Sequence, residues 1–162
     1  MLNFLIRTKG KILIDGKEFN ESLRKKIGFL FENPDDSLFM PKVYDDVAFA
    51  PKNFGFNGDS DEIVKDALKK AGVSGFEERI PHHLSFGEKK KVSLATILSY
   101  NPEIFLLDEP TLGLSPKSRK EFIELIKNLK GTKIIATHDI EMAEEISERV
   151  IVLDEGNRKR NN

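Results

Sequence analysis

Two apolar runs of this sequence each end in a pair of ionisable side chains. Asp108 and Glu109 follow the first run, and His138 and Asp139 follow the second. Because ligands of open α/β sheets bind at the carboxyl ends of the strands, we expect both pairs to lie at one sheet edge. Metal-assisted phosphoryl transfer uses such a set: one carboxylate holds Mg²⁺, a second orients or deprotonates water, and an imidazole reaches the phosphate. Taken alone, Asp108 and Glu109 fit a solvated turn equally well, and His138 fits a helix cap or a surface residue.

The apolar pattern predicts the elements that position these side chains. Residues 104–107 contain no polar alternation, which is typical of a strand buried on both faces of a parallel sheet. A helix capped by Ser115 separates this strand from a second one at 133–136. A helix capped by Asp139 and a third strand at 149–153 follow. The alternation of strands and helices predicts a parallel α/β sheet.

The earlier part of the chain predicts shorter elements. Short strands are expected at 11–17 and 27–31, and helices are expected to begin after Asp59 and Ser85. The segment 39–56 holds five aromatic side chains among prolines and glycines. We expect this segment to be an unusually aromatic loop.

The composition is that of an ordinary folded domain. The 162 residues are 39% hydrophobic and 33% charged, with a net charge of −1, so charge gives no reason to expect nucleic acid or an acidic membrane as a partner. The lack of cysteine excludes a disulfide framework and thiolate metal sites. No apolar run approaches the ~20 residues of a membrane span. The apolar core within Met1–Gly10 is too short for a signal peptide.

Ser85 and Glu88 have the spacing of a capping box. Taken alone, this pattern favours the simple interpretation that it starts a helix. In the functional interpretation, Ser85 and the amide of Gly87 hold a phosphate, because the dipole and the free N–H groups of a helix N-terminus favour an anion.

Several segments occur together in an order and spacing that resembles the ATP-binding cassette (ABC) ATPases. The resemblance is strongest to the subunits that drive cobalt, nickel and vitamin uptake through energy-coupling factor transporters, and it covers about residues 2 to 156. The segments that carry it are Asn33–Pro34, Leu84–Lys90, Leu106–Thr111, Leu112–Pro116 and Ala136–Asp139, with Phe31–Phe39 and Asp45–Pro51 typical of the energy-coupling subgroup.

The resemblance implies an α/β fold of the P-loop NTPase type. It implies a single, partial ABC ATPase domain in which a parallel sheet carries a helical subdomain and lacks the N-terminal strand of the phosphate loop. The helical subdomain is expected at about 57–100, the α/β core at 11–56 and 101–156, and a tail at 157–162.

The resemblance also implies ATP and Mg²⁺ as cofactors and a role for each matching residue. Asp108 would hold Mg²⁺ through water. Glu109 would be the general base for the attacking water, and His138 would contact the γ-phosphate. Ser85, Gly87 and Glu88 occupy positions of the signature motif, which closes over the nucleotide of a partner subunit.

The partners implied are another ABC ATPase subunit and membrane-embedded transporter subunits. Gly113–Ser115 would cross the interface of a homo- or heterodimer. Asn33–Phe56 would face the membrane subunits, which places the protein at the cytoplasmic face of the membrane. No nucleic-acid partner is expected.

The sequence departs from the family pattern at four positions. Glu32 stands where the family has a glutamine that touches Mg²⁺ and the water, Phe86 replaces a glycine of the signature, Glu88 replaces its glutamine, and Ser115 replaces an interface aspartate.

The 162 residues also contain no Gly-x-x-x-x-Gly-Lys-Ser/Thr loop, which the family pattern places before Leu2. Four charge-assisted phosphate bonds of that loop would contribute on the order of 6–12 kcal/mol. We also expect a strand to be missing between those that contain Ile134 and Val150, which leaves two strand edges unpaired and the chain marginal, oligomeric or aggregation-prone.

Two main hypotheses about function remain open; the near-neutral charge and the aromatic segment from Phe39 to Phe56 disfavour a third, a soluble ABC protein that works on nucleic acid or in cluster assembly. The first is an ATPase subunit of an uptake transporter that does not hydrolyse ATP as this chain alone. The second is an inactive partner or remnant that contributes only its signature motif to another subunit.

Overall fold

The computed structural model describes residues 10–154 and 157–159 of the chain. The strands are β1 (Leu13–Ile14), β2 (Lys17–Glu18), β3 (Ile27–Leu30), β4 (Ile104–Asp108), β5 (Thr132–Ala136), β6 (Val152–Asp154) and β7 (Asn157–Lys159). The α-helices are α1 (Val43–Asn53), α2 (Ser60–Lys70), α3 (Phe86–Leu98), α4 (Pro116–Lys127) and α5 (Ile140–Ile146). Short 3₁₀ helices lie at Glu21–Lys26, Pro34–Asp36 and Pro81–His83. The segment that begins at Leu2 lies outside the described residues.

A parallel sheet with the strand order β3-β4-β5 forms the centre of the fold. Leu30 is paired with Leu107, and Asp108 is paired with Ala136. All three strands therefore end at the same edge of the sheet. This sheet and its helices confirm the predicted α/β fold.

The strand expected at 149–153 is present only as β6, and within the described residues it does not join the parallel sheet. β6 instead pairs antiparallel with β7, which lies in the segment that the sequence analysis treated as a tail. Because β7 follows β6 closely in the sequence, the two strands can form backbone hydrogen bonds with each other. Within the described residues, β5 is consequently an edge strand of the parallel sheet.

The prediction that β4 is buried on both faces is wrong. Phe105 and Leu107 are buried, whereas Ile104 and Leu106 are only half-buried. The buried face packs on α3 and α4, which supply Leu94 and Phe122 among other residues. The opposite face of the sheet is covered only in part, and Ile134 in β5 is 59% exposed.

Helix α3 connects the two hydrophobic cores of the molecule. Its residues Val92 and Ala95 pack into a helical core with α1 and α2. Leu94 and Ile97 pack instead against the sheet. Gly28 in β3 is needed for this approach, because a Cβ at that position would lie 2.2 Å from a methyl carbon of Ile97.

The expected aromatic loop between residues 39 and 56 contains helix α1. Val43, Val47 and Pro51 share one helix face at i, i+4 and i+8, and all three are buried. Pro51 lies close to the end of the helix, where its missing N–H removes a single intrahelical bond. The prolines and glycines around α1 masked this helical spacing. In the part of the chain described, no helix is both long enough and apolar enough to cross a membrane.

Candidate functional site

The residues after β4 and β5 meet at the sheet edge, as the sequence predicted. Thr137 donates a hydrogen bond from Oγ1 to Glu109 Oε2 at 2.9 Å. The backbone N–H of His138 donates to Glu109 Oε1 at 3.0 Å, and the imidazole Nδ1 lies 2.8 Å from the same oxygen. The Glu109 carboxylate is thus held by two consecutive residues of the neighbouring strand end.

The backbone of Glu109 adopts a conformation that is rare for any residue with a side chain. Its φ is +40°. Such a conformation costs on the order of 1–3 kcal/mol and persists only where the surroundings determine it. One restraint is the hydrogen bond from the Glu109 N–H to the carbonyl oxygen of Ala136, at 2.9 Å. Backbone strain of this kind clusters at functional sites.

Glu109 and His138 form an acid–base pair. Partial burial would raise the pKa of Glu109, but the hydrogen bonds from His138 and Thr137 outweigh it, so this pKa is lowered. The hydrogen bond to Glu109 raises the pKa of His138 above 6.5. The side chain of Glu109 is 19% exposed and that of His138 is 73% exposed. Glu109 is therefore ionised at neutral pH, and His138 remains accessible to a ligand.

Asp108 and Glu32 are the remaining acidic residues that sequence analysis assigned to this edge. Asp108 is the last residue of β4 and is half-buried. Glu32 follows β3 and, like Asp108 and Glu109, lies close enough to Lys90 to act on the pKa of that lysine. The fold therefore brings three carboxylates together at the ends of two adjacent strands.

The chemistry of these carboxylates fits a Mg²⁺ ion that takes some of its ligands from the protein and the others from a nucleotide and water. Among residues 10–154 and 157–159, no group of three or more His, Cys, Asp or Glu side chains is placed to hold a metal ion by itself. Mg²⁺ is usually bound through one or two carboxylates together with substrate phosphates and water. Asp108 and Glu32 could supply such carboxylates, while Glu109 is engaged with His138 and Thr137.

Asp139 anchors the turn that carries His138. It accepts hydrogen bonds from Arg119 Nε at 2.8 Å and Arg119 Nη2 at 2.9 Å, and from Thr111 Oγ1 at 3.1 Å. It also caps α5 by accepting the N–H of Met142. The Arg119 guanidinium holds the pKa of Asp139 well below its usual range. The sequence predicts the helix cap at Asp139 but not its pairing with Arg119.

Lys90 is a site residue that sequence analysis missed. Its side chain is fully buried, and its Nζ donates to the carbonyl oxygens of Phe31 at 3.3 Å and Glu109 at 3.1 Å. The available signal was helical spacing, because Lys90, Leu94 and Ile97 share the face of α3 that packs on the sheet.

The capping box predicted at Ser85 is confirmed. Glu88 Oε2 accepts bonds from the Ser85 N–H at 2.8 Å and the Ser85 hydroxyl at 2.7 Å, and the Glu88 N–H donates to Ser85 Oγ at 3.4 Å. These bonds from Ser85 lower the pKa of Glu88. No hydrogen bond or ion pair among the described residues joins Ser85, Gly87 or Glu88 to Glu109 or His138. The structure thus contains two separate groups of candidate residues.

Phe86 packs over Gly113, the glycine that begins the segment assigned to the dimer interface. A Cβ at Gly113 would lie 2.9 Å from Cε1 of Phe86, and the φ of Gly113 is +76°. Phe86 remains 39% exposed. Gly87 has less room than an exposed glycine, since a Cβ there would lie 3.3 Å from Ser118 Oγ. A groove of about 390 Å³ beside Ser85 and Gly87 is lined in part by Lys91.

The sheet, the helical layer and the acidic strand ends together define a nucleotide-binding ATPase fold of the cassette type. Residues 1–112 match the sequence family described as "ABC transporter". The chain belongs to the ABC transporter family, which confirms the resemblance found in the sequence.

Relatives with assigned names support the same family. A putative ABC transporter ATP-binding protein of Methanothermobacter marburgensis is 48% identical over 159 residues, which span 92% of this chain and 57% of the relative. The energy-coupling factor transporter ATP-binding protein EcfA of Methanothermobacter thermautotrophicus is 45% identical over 157 residues, which span 91% of this chain and 50% of that protein. The chain thus spans about half the length of these relatives.

Solved structures share the fold. CbiO1 of Clostridium perfringens, part of the ABC transporter complex CbiONQ, matches with a TM-score of 0.82 and 37% identity over 94% of this chain and 65% of that chain. The cassette MJ0796, in a dimeric post-hydrolysis state bound to ADP and Pi, matches with a TM-score of 0.80 and 29% identity over 94% of this chain and 72% of that chain.

Proposed function

We propose that this chain is part of an ATP-hydrolysing subunit of an energy-coupling factor type uptake transporter, of the cobalt, nickel or vitamin class. The observation that carries the proposal is the Glu109 carboxylate, ionised and held at the end of β4 by Thr137 and His138. The similarity to proteins named EcfA and to CbiO1 supports the transporter class.

In this proposal, ATP and Mg²⁺ bind at the common edge of β3, β4 and β5. Bound Mg²⁺ would neutralise charge that develops on the phosphates, with Asp108 and Glu32 as the residues that hold it. Glu109 acts as the general base: its lowered pKa keeps the carboxylate ionised, so that it can accept a hydrogen bond from the attacking water and orient it. His138 uses Nδ1 to contact Glu109, which leaves its Nε2 available for the γ-phosphate.

The signature residues serve a different nucleotide in this proposal. Ser85, Gly87 and Glu88 lie at the start of α3 and make no hydrogen bond or ion pair with Glu109 or His138 in the described chain. We propose that they close over the nucleotide of a second ABC ATPase subunit, identical to this one or related to it. The dimeric structures of MJ0796 support this arrangement.

The segment Asn33–Phe56 is proposed to contact the membrane subunits at the cytoplasmic face. Phe39 is 61% exposed and Phe49 is 41% exposed, and their rings contact each other edge to face with centroids 5.1 Å apart. Exposed aromatic pairs of this size are typical of protein interfaces.

The second candidate is an inactive partner that supplies only its signature helix. The observation in its favour is Phe86, which stands where the family has a glycine in the signature motif. The ring of Phe86 fills the space over Gly113. Glu32 and Ser115 are further departures that an active subunit does not require.

A titration of the full chain with MgATP separates the two candidates. Binding is measured by calorimetry and turnover by phosphate release, with the chain alone and with a purified ABC ATPase subunit added. Turnover that Glu109→Gln abolishes supports the ATPase. Stimulation of the added subunit without nucleotide binding by this chain supports the inactive partner.

A further inference from the structure

Lys90 lies where three elements of the site converge. Its ammonium group extends from α3 to the carbonyl oxygen of Phe31, at the end of β3, and to that of Glu109, at the end of β4. The next residue after Phe31 is Glu32, so both carbonyls belong to the segments that carry the acidic side chains. The ring of Phe86 lies 6.0 Å from the same ammonium group.

The burial of this lysine is unfavourable unless its partners compensate for it. A charged ammonium group that leaves water must be paired and hydrogen-bonded. Burial lowers the pKa of Lys90 to about 8, while the charges of Glu32, Asp108 and Glu109 act in the opposite direction. A leucine or methionine would fill this part of the core without that cost, so packing alone does not explain a lysine here.

One of the two Lys90 hydrogen bonds is made to Glu109, the strained residue of the site. With φ at +40°, Glu109 needs restraints on both sides of its Cα atom. The N–H of Glu109 is held by the Ala136 carbonyl, and the carbonyl oxygen of Glu109 accepts hydrogen bonds from Lys90 Nζ at 3.1 Å and from the Leu112 N–H at 3.2 Å. Loss of the Lys90 bond would leave this carbonyl with the Leu112 N–H alone, and a resulting shift of the Glu109 backbone would lengthen the contacts between its carboxylate and His138.

We propose that Lys90 is a positioning residue. Its two hydrogen bonds fix the backbone of Glu109 and set its position relative to the neighbouring segment that carries Glu32. The inference deepens the proposed function, because it names the residue that places the general base. It also joins the acidic edge to α3, whose first turn carries Ser85 and Gly87. A shift of α3 would therefore move Glu109 through Lys90.

The test replaces Lys90 by methionine, which keeps most of its volume and removes both hydrogen bonds and the charge. The control is Lys91→Met on the same helix, since Lys91 pairs with Glu121 at 2.7 Å. The pKa of the His138 imidazole is measured by NMR titration of the full chain, and thermal unfolding is recorded in parallel.

The expected result is that the pKa of His138 falls toward 6.5 in Lys90→Met and stays raised in Lys91→Met, because only the first variant separates His138 from its carboxylate partner. A role in packing alone would lower thermal stability without moving this pKa. Loss of a nearby positive charge alone would raise the pKa of His138, so the two explanations differ in sign.

An unchanged or raised pKa of His138 in folded Lys90→Met overturns the proposal. If Lys90→Met does not fold, Lys90→Gln replaces it, because glutamine keeps an amide donor without the charge. The pKa of His138 is then expected to fall by less, and an unchanged or raised value again overturns the proposal. The readout needs no ATP, so failure here is separate from failure of the ATPase titration.

Discussion

Asp46 in α1 is a buried carboxylate whose ionisation opposes folding. Its Oδ1 accepts the backbone N–H groups of Phe39 and Met40, each at 3.0 Å, and thereby holds the turn that precedes the helix. The residue is 3% exposed, and its Oδ2 has no hydrogen-bond partner in the described part of the chain. The carboxylate therefore has fewer partners than its burial requires.

Burial raises the pKa of Asp46 from 3.8 to about 6, against the lowering effect of the two backbone bonds. Because the folded state then binds more protons than the unfolded state between these values, Asp46 makes the chain less stable as the pH rises from about 4 to about 6. A shift of about 2 units corresponds to roughly 3 kcal/mol, and the loss is complete above the folded pKa.

The assay measures urea unfolding of the wild-type chain and Asp46→Asn at pH 4.5 and pH 7.5, roughly the limits of the titration. Asparagine does not ionise, so the stability of wild type relative to Asp46→Asn should fall by about 2 kcal/mol from the lower to the higher pH. Asp45→Asn is the matched control: it removes one of the smaller causes that raise the pKa of Asp46, so most of the pH dependence should remain. A stability difference between wild type and Asp46→Asn that is the same at both pH values would refute this reasoning.

Three further predictions concern the backbone, an ion pair and a surface. Gly131→Ala should lower the free energy of unfolding by about 3 kcal/mol, whereas Gly55→Ala should cost about 1 kcal/mol. Gly131 has φ +130°, and a Cβ added there would lie 2.5 Å from the backbone oxygen of Glu103, whereas Gly55 has φ +72° and open space around the added Cβ. Equal costs of the two substitutions in urea unfolding would contradict this prediction. Asp139→Asn should lower stability by about 2 kcal/mol at pH 7, and by less below about pH 4, where the carboxylate of the unfolded chain gains a proton before the one paired with Arg119 does; a constant cost would be evidence against the pair. Phe39→Ser should keep the melting temperature and weaken pull-down of detergent-solubilised membrane subunits; unchanged capture would argue against this surface.

The residues at the strand ends were predictable because their chemistry is local in the sequence. An apolar run followed by Asp108 and Glu109 predicts a strand and its carboxyl end, and the capping box at Ser85 predicts a helix start. Both features require only neighbouring residues. The role of Lys90 was not predictable in this way, since its partners are two carbonyl groups 59 and 19 residues away along the chain.

The errors in the fold have a common physical origin. The pairing of β6 with β7 rather than with the parallel sheet depends on which strand edge is available, and apolar patterning does not encode that choice. Helix α1 was hidden because Pro51 lies within it, although Val43 and Val47 have helical spacing. The partial exposure of β4 likewise reflects what covers the sheet, not the composition of the strand.

A single-turnover measurement tests whether Glu109 activates water for ATP hydrolysis. Wild type, Glu109→Gln and the control Glu103→Gln, which alters the exposed carboxylate just before β4, are each carried in a subunit that includes the family's phosphate loop, loaded with MgATP and quenched over time. The account predicts that Glu109→Gln binds ATP as wild type does and hydrolyses it at least ~100-fold more slowly, while Glu103→Gln behaves as wild type. Equal hydrolysis rates in wild type and Glu109→Gln, at equal nucleotide occupancy, would contradict the account.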